Sequence, residues 1–295
     1  MVEKSIKKAL NAKLKKWIES IDDVDIKRIV KENSIITGGA LVSMLTGEEV
    51  NDYDVYFRTK FACRTVAEYY VKKFKEQHET RRSITVEEDN DGRIKVFVRS
   101  DGVAGDEDAM ISDETEPNVA YEDVEAATSD DAPTDKPKYR PLWLSTNAIT
   151  LSDKIQIVVR FYGEPDQIHE NYDFVHCTCY WTSWDDNLVL PARALTAILN
   201  KELYYMGSKY PLCSIIRSRK FIKRGWNINA GQYLKMCLQL NELDLKDIKV
   251  FEDQLVGVDS AYFSAAIAKI KEKQEQDPTY QIDNTYLFEI INKIF

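Results

Sequence analysis

Residues 37–57 read TGGALVSMLTGEEVNDYDVYF, and this stretch decides the fold class. A short apolar approach, SIIT, leads to the pair Gly38-Gly39. The run ALVSMLT then has the composition of a short helix closed by Gly47, because glycine readily takes the left-handed conformation that ends helices. NDYDVYF follows with the aromatic and β-branched content of a strand. Side chains alternate across a strand, so Asp52 and Asp54 share one face while Tyr53, Val55 and Phe57 take the other. Two carboxylates side by side suit magnesium, which takes oxygen ligands in a tight octahedron, and two-ion phosphoryl chemistry uses such acids to hold its metals. A glycine pair opening a helix lets backbone N–H groups come close to a polyphosphate.

Outward from this centre, Ile6, Ala9, Leu10, Leu14, Trp17, Ile18 and Ile21 recur at helical spacing, and IKRIVKEN reads as a short second helix. After residue 57, FACRTVAEYYVKKFKEQH has helical periodicity, and RSITVEED and RIKVFVRS read as strands joined by the turn-like NDG. PLWLSTNAITL, KIQIVVRFYG and NYDFVHCTCYW continue the sheet, the last two as long strands. From about Pro191 the pattern is helical: ARALTAILNKELYYM, LCSIIRSRKFIKRGW, AGQYLKMCLQL and AYFSAAIAKIKEKQEQ. The expected architecture is α+β, with a mixed-sheet catalytic domain over 1–190 followed by a helical domain over 191–295.

The formal charge of −9 is unevenly spread. Residues 101–137 hold thirteen Asp or Glu against the single basic residue Lys136, which leaves 39 Lys and Arg against 36 Asp and Glu elsewhere. That acidic stretch has too little apolar content to offset the entropy of ordering, so it reads as a disordered insert in the first domain. The rest is mildly basic. Five cysteines without a CxxC pair and three scattered histidines (His78, His169, His176) argue against a zinc centre. No apolar run reaches the roughly 18 residues of a membrane span, and the charged N-terminus does not read as a signal peptide, so a cytoplasmic location is expected.

The TGG-helix-DYD stretch resembles the signature of the polymerase-β-like nucleotidyltransferase superfamily, in which a glycine turn opens a helix and the next strand carries Asp-x-Asp. The resemblance implies that Gly38 and Gly39 contact the triphosphate of an NTP and that Asp52 and Asp54 ligate two Mg2+ ions; Ser43, on the helix between, is counted with the nucleotide-binding residues. A second stretch, YPLCSIIRSRKFIKRGWNIN, resembles the helix after the catalytic sheet in CCA-adding enzymes and bacterial poly(A) polymerases. Pro211, Arg217, Lys220, Phe221, Gly225 and Trp226 match it, with Lys220 where arginine is usual. The fragment STNAI is similar to the end of that branch's Arg-Arg-Asp-Phe-Thr-x-Asn-Ala strand, but the arginines and the acid are absent here.

Without any family, Arg217, Arg219, Lys220, Lys223 and Arg224 place five cations within eight residues, a pattern that attracts phosphate or serves as a solvated helix face. Arg217, Lys220 and Arg224 are expected to bind the triphosphate or an acceptor backbone. A third acid usually completes a two-metal site. Among Asp153, Asp166, Asp173 and Asp185, the first two and the last sit in turn-like surroundings, so Asp173 is assigned, at the start of what reads as a long strand among apolar and aromatic neighbours. The expected function is transfer of a nucleotidyl group from an NTP to an acceptor hydroxyl, with an RNA 3′ end as the candidate acceptor. A non-catalytic nucleotide- or nucleic-acid-binding protein and a toxin-like transferase acting on tRNA or protein are the alternatives.

Overall fold

A computed structural model of the protein describes residues 3–77, 83–99, 111–112, 137–254 and 276. The chain opens with α1 (Glu3–Ser20), which buries Ile6, Leu10, Leu14 and Trp17 as the spacing requires. Asp23 caps α2 (Val24–Asn33) by accepting from the N–H groups of Asp25 and Ile26. Then come β1 (Ser34–Thr37), α3 (Gly39–Thr46), β2 (Tyr53–Phe57) and α4 (Lys60–Gln77). Beyond them lie β3 (Ser83–Glu88), β4 (Ile94–Arg99), β5 (Ile111–Ser112), β6 (Pro141–Leu144), β7 (Ala148–Leu151) and β8 (Ile155–Tyr162). The next elements are α5 (Pro165–His169), a 3-10 turn (Val175–Thr178), β9 (Tyr180–Thr182), β10 (Asn187–Val189) and α6 (Ala192–Asn200). The last are α7 (Pro211–Lys223), α8 (Ala230–Leu240) and α9 (Ile248–Gln254).

Eight strands make one mixed sheet in the order β10-β9-β1-β2-β8-β7-β6-β5. The architecture is the expected α+β one. β1 runs antiparallel to both β2 and β9, while β2 is parallel to β8. One face of the sheet is closed: Val55, Ile155, Ile157, Ile149, Leu151 and Leu144 are all buried. Trp17 of α1 donates from Nε1 to the Tyr70 hydroxyl of α4 at 2.6 Å, which gives each polar tip a partner inside the helical layer.

The chain divides into two compact units. The first takes in the described residues up to 170 together with 176–199, and the second takes in 171–175 and the described residues from 200 onward. Several expectations change. β3 and β4 form a separate two-stranded sheet, paired from Ser83 opposite Arg99 to Glu88 opposite Ile94, instead of extending the main one. Within the acidic stretch, Ile111–Ser112 adds an edge strand to β6; the remaining residues of 101–136 lie outside those described, as does the helical pattern from Ala261 apart from Gln276.

NYDFVHCTCYW does not form one long strand. Phe174 makes an isolated bridge with Tyr205, the Val175 N–H donates to the Tyr204 carbonyl, and 175–178 wind into the 3-10 turn before β9 begins at Tyr180. β propensity reports how side chains fit a pleated surface, and here the tertiary partners of the backbone lie off the sheet.

Candidate active site

The first unit positions the glycine pair and the two acids together. Gly38 has φ 81° and ψ −138°, a conformation open to glycine and strained for any residue with a Cβ. It turns the chain from β1 directly into α3, whose first N–H groups have no intrahelical partner and carry the positive end of the helix dipole. Gly39 is exposed, and a Cβ there would meet nothing within 4 Å. Because Ile36 pairs with Val55 in antiparallel register, the end of β1 that leads to Gly38 lies beside the start of β2 that carries Asp54. Asp52, exposed, immediately precedes β2; Asp54 is half-buried within it. Ser43 is buried in the middle of α3, where its carbonyl accepts from the N–H groups of Gly47 and Glu48 at the helix end.

The short loop between α3 and Asp52 is tied down. Lys154 Nζ donates to Glu49 at 2.6 Å and to the Val50 carbonyl at 3.2 Å, and the Tyr53 N–H donates to the Lys154 carbonyl at 2.8 Å. The ammonium holds the Glu49 carboxyl below its ordinary range. Lys13 lies over the Tyr53 ring at 5.0 Å.

Behind the glycine turn sits a buried polar network that sequence reading missed. Thr37 Oγ1 donates to the Cys179 carbonyl at 2.8 Å and lies 2.9 Å from His169 Nε2. A hydroxyl has one proton to give, so the second contact is a donation from the His169 Nε2–H to Thr37. Burial pushes the His169 pKa down to about 4, opposed in part by Asp166, so the ring is neutral at pH 7. Burial also pushes the Cys179 thiol up to about 12. The only sequence signal for this network was a polar residue ending an apolar strand just before a glycine pair.

In the second unit, Asp173 is nearly buried and meets a cation: Arg217 Nη1 donates to its Oδ2 at 2.7 Å. Two residues assigned separate tasks, metal ligation and phosphate binding, are thus an ion pair. Arg219, Lys220, Lys223 and Arg224 are exposed on α7 and its C-terminal cap. The face that α7 buries is made of Pro211, Cys213, Ser214 and Ser218, and Ile222 is left exposed. Phe221 packs edge-on against Phe174 and Trp226. The other acid candidates hold local structure: Asp153 Oδ2 accepts from the Tyr139 N–H and the Ser152 hydroxyl, Asp185 accepts from Thr182, and Asp166 stands in the first turn of α5.

Among the described residues no three His, Cys, Asp or Glu side chains form a group that could hold a metal ion between them. Magnesium is commonly held by one or two carboxylates, with water and substrate phosphate completing its shell, and the Asp52–Asp54 pair suits that mode.

A glycine turn leads into a helix, and an Asp-x-Asp strand lies antiparallel beside the strand before the turn, which is the arrangement that the resemblance to polymerase-β-like nucleotidyltransferases implies. The chain belongs to the Gabija anti-defense 2 family, whose profile matches residues 8–201. No protein with a curated description matches it. Among solved structures it is similar to the Thermotoga maritima CCA-adding enzyme complexed with tRNA, at 12% identity and a TM-score of 0.38, over 92% of this chain and 57% of that one. It is also similar to the Bacillus stearothermophilus CCA-adding enzyme in complex with CTP, at 10% identity and a TM-score of 0.34, over 79% and 47%. The chain spans about half the length of these solved proteins. Among the described residues no helix is long and apolar enough to cross a membrane.

Proposed function

We propose that this protein is a magnesium-dependent nucleotidyltransferase that joins a nucleotidyl group from an NTP to an acceptor hydroxyl, and that this transfer acts against Gabija defence, as the family description suggests. The observation that carries the reading is the placement of the Gly38-Gly39 turn and the Asp52–Asp54 pair at one end of neighbouring strands. Bound magnesium would neutralise phosphate charge and make the acceptor hydroxyl a better nucleophile. Asp52 and Asp54 would hold it. The open N–H groups at the start of α3 would receive the triphosphate, and Gly38 permits the close approach that a side chain would block. Catalysis by these groups is positional and electrostatic, since the fixed N–H dipoles and carboxylates need no rearrangement as charge develops.

Asp173 enters the proposal as a third acid needed for turnover, and Arg217, Lys220 and Arg224 as phosphate-binding residues, with Ser43 supporting the nucleotide-binding helix. The acceptor proposed is an RNA 3′ hydroxyl, since the exposed cations of α7 suit a phosphate backbone. The test is incubation of the purified protein with α-labelled NTPs, Mg2+ and lysate from cells with and without Gabija proteins. Label should enter RNA with the wild type and not with Asp52→Asn. Label in protein would reassign the acceptor, and no incorporation beside intact inhibition of Gabija would favour the non-catalytic binding reading.

A further inference from the structure

The strand registers place four residues in one lateral row across the sheet. Asp54 on β2 is opposite Gln156 on β8, Gln156 is opposite Thr150 on β7, and Thr150 is opposite Trp143 on β6. Residues opposite one another share a face. All four are half-buried, whereas the residues alternating with them, Val55, Ile155, Ile157, Ile149, Leu151 and Leu144, are buried on the closed face. The other face of the sheet therefore carries, in sequence, a carboxylate, an amide, a hydroxyl and an indole. Three interstrand spacings of roughly 4.8 Å put the Trp143 backbone about 14 Å from that of Asp54, a span comparable to a nucleoside triphosphate once the indole's own reach is counted. The indole N–H of Trp143 is buried with no hydrogen-bond partner among the described residues, although buried donors are nearly always paired.

We infer that Trp143 is the nucleobase subsite of this protein: the base of the nucleoside triphosphate stacks on the indole, while Gln156 and Thr150 face the ribose and Asp54 the phosphate end. The inference rests on the nucleotidyl-transfer reading above and adds where the base lies. An aromatic face accepts every base, so the row predicts affinity from stacking with little choice among the four NTPs.

The test measures dissociation constants of the full-length protein for ATP, GTP, CTP and UTP and for inorganic triphosphate, with Ca2+ replacing Mg2+ to prevent turnover. Trp143→Ala should weaken every NTP by about tenfold or more and leave inorganic triphosphate within about twofold, since loss of a stack is felt only by ligands with a base. Trp143→Phe should fall between, keeping an aromatic face of smaller stacking area. Thr150→Val, a gentler change in the same row, should weaken NTPs and spare inorganic triphosphate. Equal loss of NTP and triphosphate affinity in Trp143→Ala would make the residue structural and overturn the assignment, as would unchanged NTP affinity. If the wild type binds neither NTPs nor inorganic triphosphate, the nucleotidyl-transfer reading itself fails and the subsite with it.

Discussion

Replacing His169 by Gln should make the fold less sensitive to acid. The imidazole is buried against Thr37 and its pKa is pushed down from 6.5 to about 4. With the folded pKa below the unfolded one, the unfolded chain takes up a proton first as the pH drops. The stability tied to neutral His169 is therefore complete above pH 6.5 and is lost as the pH falls toward 4. Each pKa unit is worth about 1.36 kcal/mol, so between pH 7.5 and pH 4.5 this ring alone should cost the wild type roughly 2.5 kcal/mol. The His169→Gln variant offers Thr37 an equivalent N–H donor and has nothing to titrate. Urea unfolding of both proteins, followed by tryptophan fluorescence at pH 7.5, 6.0 and 4.5, isolates the effect because the other titrating groups are common to both. The variant should match or trail the wild type at pH 7.5 and gain on it by roughly 2.5 kcal/mol at pH 4.5. Parallel stability curves across that range would refute the buried neutral histidine.

Asp52→Asn and Asp54→Asn should each lower nucleotide incorporation by about 10²-fold or more with melting temperatures close to wild type, because both residues stand at an open strand end; calorimetry beside the incorporation assay checks this. Asp173→Asn should also abolish turnover in a folded protein. Lys220→Glu with Arg224→Glu should weaken RNA binding and reduce its salt slope without unfolding, since both side chains are exposed. Arg217→Glu should in addition destabilise by about 1–3 kcal/mol, because it leaves Asp173 nearly buried against a like charge. Gly38→Ala should cost about 1–3 kcal/mol in denaturant unfolding, the strain of a Cβ at φ 81°, and should weaken inorganic triphosphate binding.

Local patterns were legible from the residues alone wherever one short-range rule was decisive. The spacing of Ile6, Leu10, Leu14 and Trp17 forced a helix with one buried stripe, and the helix indeed buries those four. Gly38, α3, Gly47 and the Asp-x-Asp strand were readable because glycine conformation, helix ends and strand alternation are properties of neighbours in the chain. The same holds for the hairpin of β3 and β4, closed by the turn around Gly92.

What neighbours in sequence could not settle was pairing at a distance. β propensity made NYDFVHCTCYW a strand, but its backbone partners proved to be Tyr204, Tyr205 and Met206, so it turns away after Asp173 and re-enters the sheet only at Tyr180. Asp173 and Arg217, 44 residues apart, could be told to be an ion pair only once the chain had folded. The buried face of α7 includes Ser214 and Ser218 while Ile222 is exposed, because which side of a helix is covered depends on what packs there, and small side chains let a neighbour come close. The row from Asp54 to Trp143 exists only through the registers of four strands that lie between Tyr53 and Tyr162 in the chain. Register is fixed by burying one face of the whole sheet, a condition that no local window of sequence contains.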